Sequence, residues 1–277
     1  MMTDRLTLMA IFAHPDDEAF GTGGTLTKYA SEGVDVHLVI ATLGEAGRVA
    51  NPAITLTQPL SVVRKKELRC ACQHYGIKEL HLLGYTDGQT TIAPQSEAVY
   101  KIVRKLRQVK PQVVISFGPE GIYGHYDHLA VHRWSTAAIQ LAGDTDRWPE
   151  AGPPHIVSKF YHRAMPDEQV VRMEQDYGRS AVPMDGIPFP FSGYPMERIT
   201  TVIDVREHML TKIQGVRCHA SQLDPANPYL QQDFDWITAS AFWQETFILA
   251  RYAPGISLPT QDGLKETDLF CGLRKDR

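Results

Sequence analysis

Two short blocks hold most of the chain's reactive side chains. His14-Pro15-Asp16-Asp17-Glu18 packs an imidazole and three carboxylates into five residues. Tyr123-Gly124-His125-Tyr126-Asp127-His128 adds two imidazoles, a carboxylate and phenols. Imidazoles and carboxylates without thiolates are the donors of a hydrolytic metal centre rather than a structural one. Structural zinc is usually closed by four protein ligands, whereas a hydrolytic site keeps one position for water. The ion lowers the pKa of that water to about 7, and a nearby carboxylate can then act as general base. Asp16 and Asp17 can divide those duties, because neighbouring side chains of an extended turn point different ways. The plainer readings are a polar turn with an N-capping Asp and a pair of surface histidines at a helix start.

Each block follows an apolar run that reads as a strand. Leu6 to Ala13 precedes the first and Val113 to Phe117 the second. Between them, Asp35 to Thr42 reads as a strand that leads to Glu45, and Glu79 to Leu83 as one that leads to Asp87. Helical patterns intervene: one from Phe20 to near Gly33, then Ser61 to His74 with Ser61 as N-cap, Glu97 to Val109, Leu129 to Leu141 and Arg206 to Ser221. Lys159 to His162 and Thr200 to Val205 are further strands. This alternation predicts an α/β fold with a mostly parallel sheet and helices on both faces. In such sheets ligands bind outside the carboxyl ends of the strands. That edge would receive His14, Asp16, Asp17, Glu45, Asp87, Tyr123, His125, Asp127 and His128. We expect one domain over 1–277 with a C-terminal elaboration and a lid or insertion at about 165–198. Within it, Pro183 to Pro195 holds four prolines and reads as an ordered loop or lid.

Composition narrows the function. The 277 residues are 43% hydrophobic and 22% charged, which excludes a disordered chain. A net charge of -4 leaves no basic footprint for nucleic acid. No apolar run approaches the roughly 18 residues of a membrane span, and no secretion signal is read at the start. The four cysteines, Cys70, Cys72, Cys218 and Cys271, contain no CxxC pair. They read as reduced thiols of a cytoplasmic protein, not as a disulfide framework. Gly21-Thr22-Gly23-Gly24-Thr25-Leu26 lacks the last glycine of a dinucleotide fingerprint, so these glycines read as packing positions that let a helix approach the sheet.

Ala13-His14-Pro15-Asp16-Asp17-Glu18, followed by Gly23-Gly24, resembles the first signature of the PIG-L/LmbE-like de-N-acetylases. His125-Tyr126-Asp127-His128 resembles the second, with Tyr in a position commonly held by Pro. Arg64, Asp87, Tyr123 and His219-Ala220-Ser221-Gln222 extend the likeness over about residues 5 to 222. The resemblance implies a Rossmann-like fold and a zinc hydrolase that removes acetyl groups from N-acetylglucosamine-type sugars or conjugates. It implies His14, Asp17 and His128 as metal ligands, and Asp16 as base. His125 would stabilise the oxyanion or protonate the amine, with Asp127 orienting an imidazole and Tyr123 adding a hydrogen bond. Arg64 and Asp87 match positions that bind sugar hydroxyls, and His219 is a third candidate for substrate contact. Zinc is the expected ion, and Fe2+ or Mn2+ also suits nitrogen and oxygen donors. The expected partner is a small amino-sugar substrate, and a homo-oligomer is compatible. The alternatives are an amidase on a larger conjugate, a hydratase on a small carboxylic acid, or a non-catalytic metal-binding protein.

Overall fold

The computed structural model describes residues 5–178, 180–225, 227, 243–258 and 263–274. The chain runs β1 (Thr7–Phe12), α1 (Asp17–Ser31), β2 (Asp35–Ile40), α2 (Leu60–Tyr75) and β3 (Glu79–Leu82). It continues through α3 (Gln95–Val109), β4 (Val113–Phe117), the short turn α4 (Gly121–Gly124), α5 (Tyr126–Ala142) and β5 (Lys159–Arg163). Then come β6 (Met165–Pro166), α6 (Asp167–Tyr177), β7 (Ala181–Met184), β8 (Ile187–Pro190) and β9 (Gly193–Tyr194). The series closes with β10 (Thr201–Asp204), α7 (Met209–Cys218) and β11 (Gln244–Tyr252). These elements form two compact units, Met1–Ala93 with Asp204–Glu245, and Pro94–Ile203 with Thr246–Arg277.

In the first unit β1, β2 and β3 pair in that order, all parallel. Every residue of β1 and β2 is buried, as expected of strands covered on both faces. Tyr75 of α2 sits in a slot between Gly23 of α1 and Gly215 of α7, and its hydroxyl donates to the Lys212 carbonyl. A Cβ at Gly215 would lie 2.1 Å from the Tyr75 ring, so glycine is what lets these helices meet. Gly23 and Gly24 are therefore packing glycines, but they face Tyr75 and Val205 rather than the sheet. The buried Glu245 carboxylate accepts from the Gly24 and Thr25 amides and pairs with buried Lys212 at 2.8 Å.

In the second unit the strand order is β10-β11-β5-β4, with β4 parallel and β11 antiparallel to β5. Helices α3 and α5 pack together. Buried Arg107 of α3 donates to six carbonyls between Leu141 and Gly152, and so fixes the loop after α5. The C-terminal elaboration inserts a buried carboxylate, Glu266, which accepts from Lys159, Tyr161 and Thr201. The mostly parallel α/β class expected from the sequence is what forms.

Three expectations change. Cys70 and Cys218 form a disulfide, contrary to the all-thiol reading. They lie 148 residues apart, so no local spacing announced a contact that exists only because α2 packs on α7. The Pro-rich segment is a hairpin, β7–β8, rather than a loop. A two-stranded ribbon has only edges, and prolines are tolerated there; Asp185 and Gly186, both at positive φ, make the turn. Helix α2 begins at Leu60 after Pro59, so Ser61 lies inside it and does not cap it.

Candidate active site

The first unit presents the turn between β1 and α1. Asp16 stands in the left-handed region at φ 105°, a conformation that Asp tolerates better than most residues. It is this twist, not an extended turn, that separates Asp16 from Asp17. Asp17 folds back, and its Oδ2 accepts the His14 amide at 2.7 Å. His14 Nε2 lies 3.0 Å from Asp87 Oδ1, while Nδ1 lies 3.4 Å from Asp17 Oδ2. This chemistry suits a divalent ion: one imidazole nitrogen is held by a carboxylate, and the other faces an anionic oxygen. Asp87 is itself braced, since its Oδ2 accepts from Ala46 N and its amide donates to Glu45.

Arg64 of α2 is buried beneath this turn. It donates to the Pro15 carbonyl at 2.6 Å, to Asp16 Oδ2 at 3.1 Å and to the Gly44 carbonyl at 2.8 Å. A Cβ at Gly44 would fall 1.9 Å from the guanidinium, so this contact requires glycine there. Burial pushes the Asp16 carboxyl up to about 6, against the pull of Arg64. Glu18 closes the group from behind. Its Oε2 accepts the Asp16 amide at 3.0 Å, and its Oε1 lies 2.6 Å from His219 Nε2. Burial disfavours charge on His219, but the charge and hydrogen bond of Glu18, together with Asp16 and Glu67, outweigh it and shift the imidazole up. The His219 ring is fully buried, so the structure gives it a carboxylate partner rather than a place on a pocket surface.

The following turn is scaffold as well. Ser221 donates through both amide and hydroxyl to Glu67, one helical turn after Arg64. Its carbonyl accepts from Ala50, and Gln222 donates to the Arg48 carbonyl. Sequence reasoning placed Glu18 in the first block and Glu45 at the ligand edge without giving either a partner, and it missed Glu67, whose partner Ser221 lies 154 positions away.

The second unit builds its block from ring contacts and backbone. Gly121 and Ile122 both take positive φ, and Tyr123 is also non-helical, so the chain bends sharply between β4 and α5. His125 caps α5, its Nδ1 accepting the Asp127 amide at 3.1 Å, which puts its proton on Nε2. His128 Nδ1 lies 3.0 Å from the Gly121 carbonyl and donates to it, which puts the lone pair on Nε2, the nitrogen a metal would take. The His128 ring stacks on Phe117 at 4.0 Å and on His125 at 4.8 Å. Tyr123 stands edge-on to both imidazoles and to Phe191. Asp127 is fully buried in the first turn of α5. Phe189 of the hairpin meets Tyr126, and Tyr194 of β9 donates to Glu120 at 2.5 Å. His132 bonds the Phe117 carbonyl and packs on His162, consistent with a packing role.

Each unit thus gathers its own expected residues: His14, Asp16, Asp17, Arg64 and Asp87 in one, Tyr123, His125, Asp127 and His128 in the other. The family model described as "PIG-L: GlcNAc-PI de-N-acetylase" matches residues 9–139, which include both blocks. The chain is 33% identical to a 1D-myo-inositol 2-acetamido-2-deoxy-alpha-D-glucopyranoside deacetylase of Thermobispora bispora, over 98% of this chain and 100% of that protein. The chain belongs to the PIG-L family. Among solved structures, this PIG-L chain shares its fold with the N,N'-diacetylchitobiose deacetylase of Pyrococcus horikoshii. That match has a TM-score of 0.65 and 21% identity, covering 94% of this chain and 90% of that one. The 4-carboxy-2-hydroxymuconate hydratase GalB of Pseudomonas putida matches with a TM-score of 0.62 at 16% identity, over 91% of this chain and 99% of its own. The fold therefore hosts more than one reaction and does not choose between them.

Proposed function

We propose that this chain is a divalent-metal hydrolase that removes the N-acetyl group from an N-acetylglucosamine conjugate, with an inositol glycoside as the preferred substrate. The observation that carries the hydrolase reading is the clamped turn at 14–17. There a His–Asp donor pair stands beside a second carboxylate, Asp16, that is held separately by Arg64. The substrate class follows from the full-length likeness to the Thermobispora bispora deacetylase.

In this reading His14, Asp17 and His128 hold one ion, with zinc the first choice and Fe2+ or Mn2+ as alternatives. The ion, when bound, supplies a Lewis acid and a water of lowered pKa. Asp16 accepts the proton of the attacking water, and its shifted carboxyl suits that duty near neutral pH. His125 offers its Nε2 proton first to the developing oxyanion and then to the departing amine. Tyr123 adds a phenolic hydrogen bond to the same oxyanion, and Asp127 steadies an imidazole of the site. Arg64 and Asp87 are our candidates for contact with sugar hydroxyls, and each also braces a side chain of the turn, Asp16 and His14 respectively. His219 acts through Glu18 rather than by touching substrate. Acetate and the free amino sugar are the products.

The test is to offer N-acetylglucosaminyl-inositol and N,N'-diacetylchitobiose and to measure acetate and primary amine, with and without a chelator. Release from the inositol glycoside, abolished by chelation and restored by zinc, is expected. Release that a chelator leaves unchanged overturns the metal mechanism, and release from chitobiose alone overturns the inositol assignment.

A further inference from the structure

Another group of metal-ligating side chains lies in the first unit and shares no residue with the turn at 14–17. Cys70 and His74 are four residues apart on α2, and Cys218 is the last residue of α7. One ligand atom from each of the three lies within 4.8 Å of the others. Cys70 and Cys218 are joined as a disulfide, with a Cα–Cα distance of 5.7 Å. Both are partly accessible and His74 is exposed, so a reductant and an ion can reach them.

We propose that, once this disulfide is reduced, Cys70, His74 and Cys218 bind a zinc ion, so that Cys70 and Cys218 alternate between a covalent cross-link and, with His74, a Cys2His metal centre. The i,i+4 spacing puts Cys70 and His74 on one face of α2, as in helical His pairs that chelate zinc. Thiolates select zinc over harder-ligand ions. Zinc–sulfur and zinc–nitrogen bonds of about 2.3 and 2.0 Å place tetrahedral ligand atoms about 3.5–3.8 Å apart, within the spread found here. Cys72 does not compete, because it is buried and burial pushes its thiol far up. Solvent completes the fourth position.

The chemistry balances with a dithiol as reductant. Two electrons break the Cys70–Cys218 bond, and the dithiol leaves as its cyclic disulfide. Zinc then displaces two thiol protons to solvent. Either state keeps α2 tied to α7, one residue before His219 and three after Glu67.

Cobalt separates this centre from the candidate active site, because only thiolate ligands give a near-ultraviolet charge-transfer band. The full chain, stripped of metal, is titrated with Co2+ as oxidised protein and again after dithiol reduction and anaerobic desalting. The band is expected in the reduced sample alone, saturating with one equivalent of cobalt more than the oxidised sample binds. It is expected to vanish in Cys218→Ser and to survive in Cys72→Ser. His74→Ala is expected to weaken cobalt binding by at least about 10-fold, the least that losing even an outer partner costs. Reduced wild-type protein without the band overturns the proposal. So does a band that persists in Cys218→Ser or disappears in Cys72→Ser, or a His74→Ala variant that titrates like wild type.

Discussion

The two signature blocks are fixed by different physics. The turn at 14–17 is held by charged groups, Arg64 and Asp87 brought from afar and Glu18 from the next position in the chain, each bonding an atom of the turn. The turn at 121–128 is held by ring stacking and by its own backbone, with Phe117, Tyr123 and the Gly121 carbonyl around His128. Hydrogen bonds to buried charges are directional, and removing one partner strands the other. Stacked rings tolerate loss of a polar atom if the shape is kept. The first block is thus the brittle one, and the second the more forgiving.

The sharpest break of that contrast is at the base. Asp16→Ala should lower kcat by about 10²–10⁴ while leaving the ion bound. Steady-state kinetics with elemental analysis checks both halves, and near-wild-type turnover would remove the base assignment. Tyr123→Phe keeps the ring contacts and deletes the hydroxyl. If the phenol meets the oxyanion, kcat falls by about 10², with metal content and thermal stability unchanged. A loss of metal instead would mean that the second block is as brittle as the first.

Arg64→Lys tests positioning in the first block. One ammonium cannot replace a guanidinium that bonds Pro15, Asp16 and Gly44 together. A misplaced base should cost about 10-fold or more in kcat, with a smaller change in KM. An effect confined to KM would return Arg64 to a purely substrate-binding role.

The smallest effect concerns a half-buried ring outside both blocks. Burial, reinforced by His132, lowers His162 from 6.5 to about 4. Between those values the unfolded chain takes up a proton that the folded chain refuses. Stability contributed by the neutral ring is therefore present above about pH 6.5 and lost as pH falls through 4. Urea unfolding of His162→Phe should show a pH dependence flatter by about 1–2 kcal/mol across that window. An unchanged slope would mean that another group carries it.

What could be read in the sequence follows from range. Strands β1 and β4 are legible as mainly apolar runs and β2 by its Val and Ile content, and Val113–Phe117 matches the observed strand to the residue. Helix α5 begins three residues earlier than its apolar pattern, because His125 caps it and pulls Tyr126 to His128 into the first turn. Helix α6 and strand β11 went unread: α6 is a polar surface helix, and β11 has outer residues too mixed to signal a strand. In the site, the reactive residues were legible as compact blocks with family likeness. Their supports were not, because Glu18–His219 and Glu67–Ser221 join residues 201 and 154 positions apart. Such pairs leave no local pattern, and the Cys70–Cys218 bond belongs with them.

The central claim is that one ion is held jointly by His14 and Asp17 from the first block and by His128 from the second. Zinc content of oxidised His14→Ala and His128→Ala proteins, by elemental analysis after dialysis against equal free zinc, tests it most directly. The account predicts about one equivalent in the wild type and loss of it in each variant alone. A full equivalent retained by either variant would contradict a shared ion.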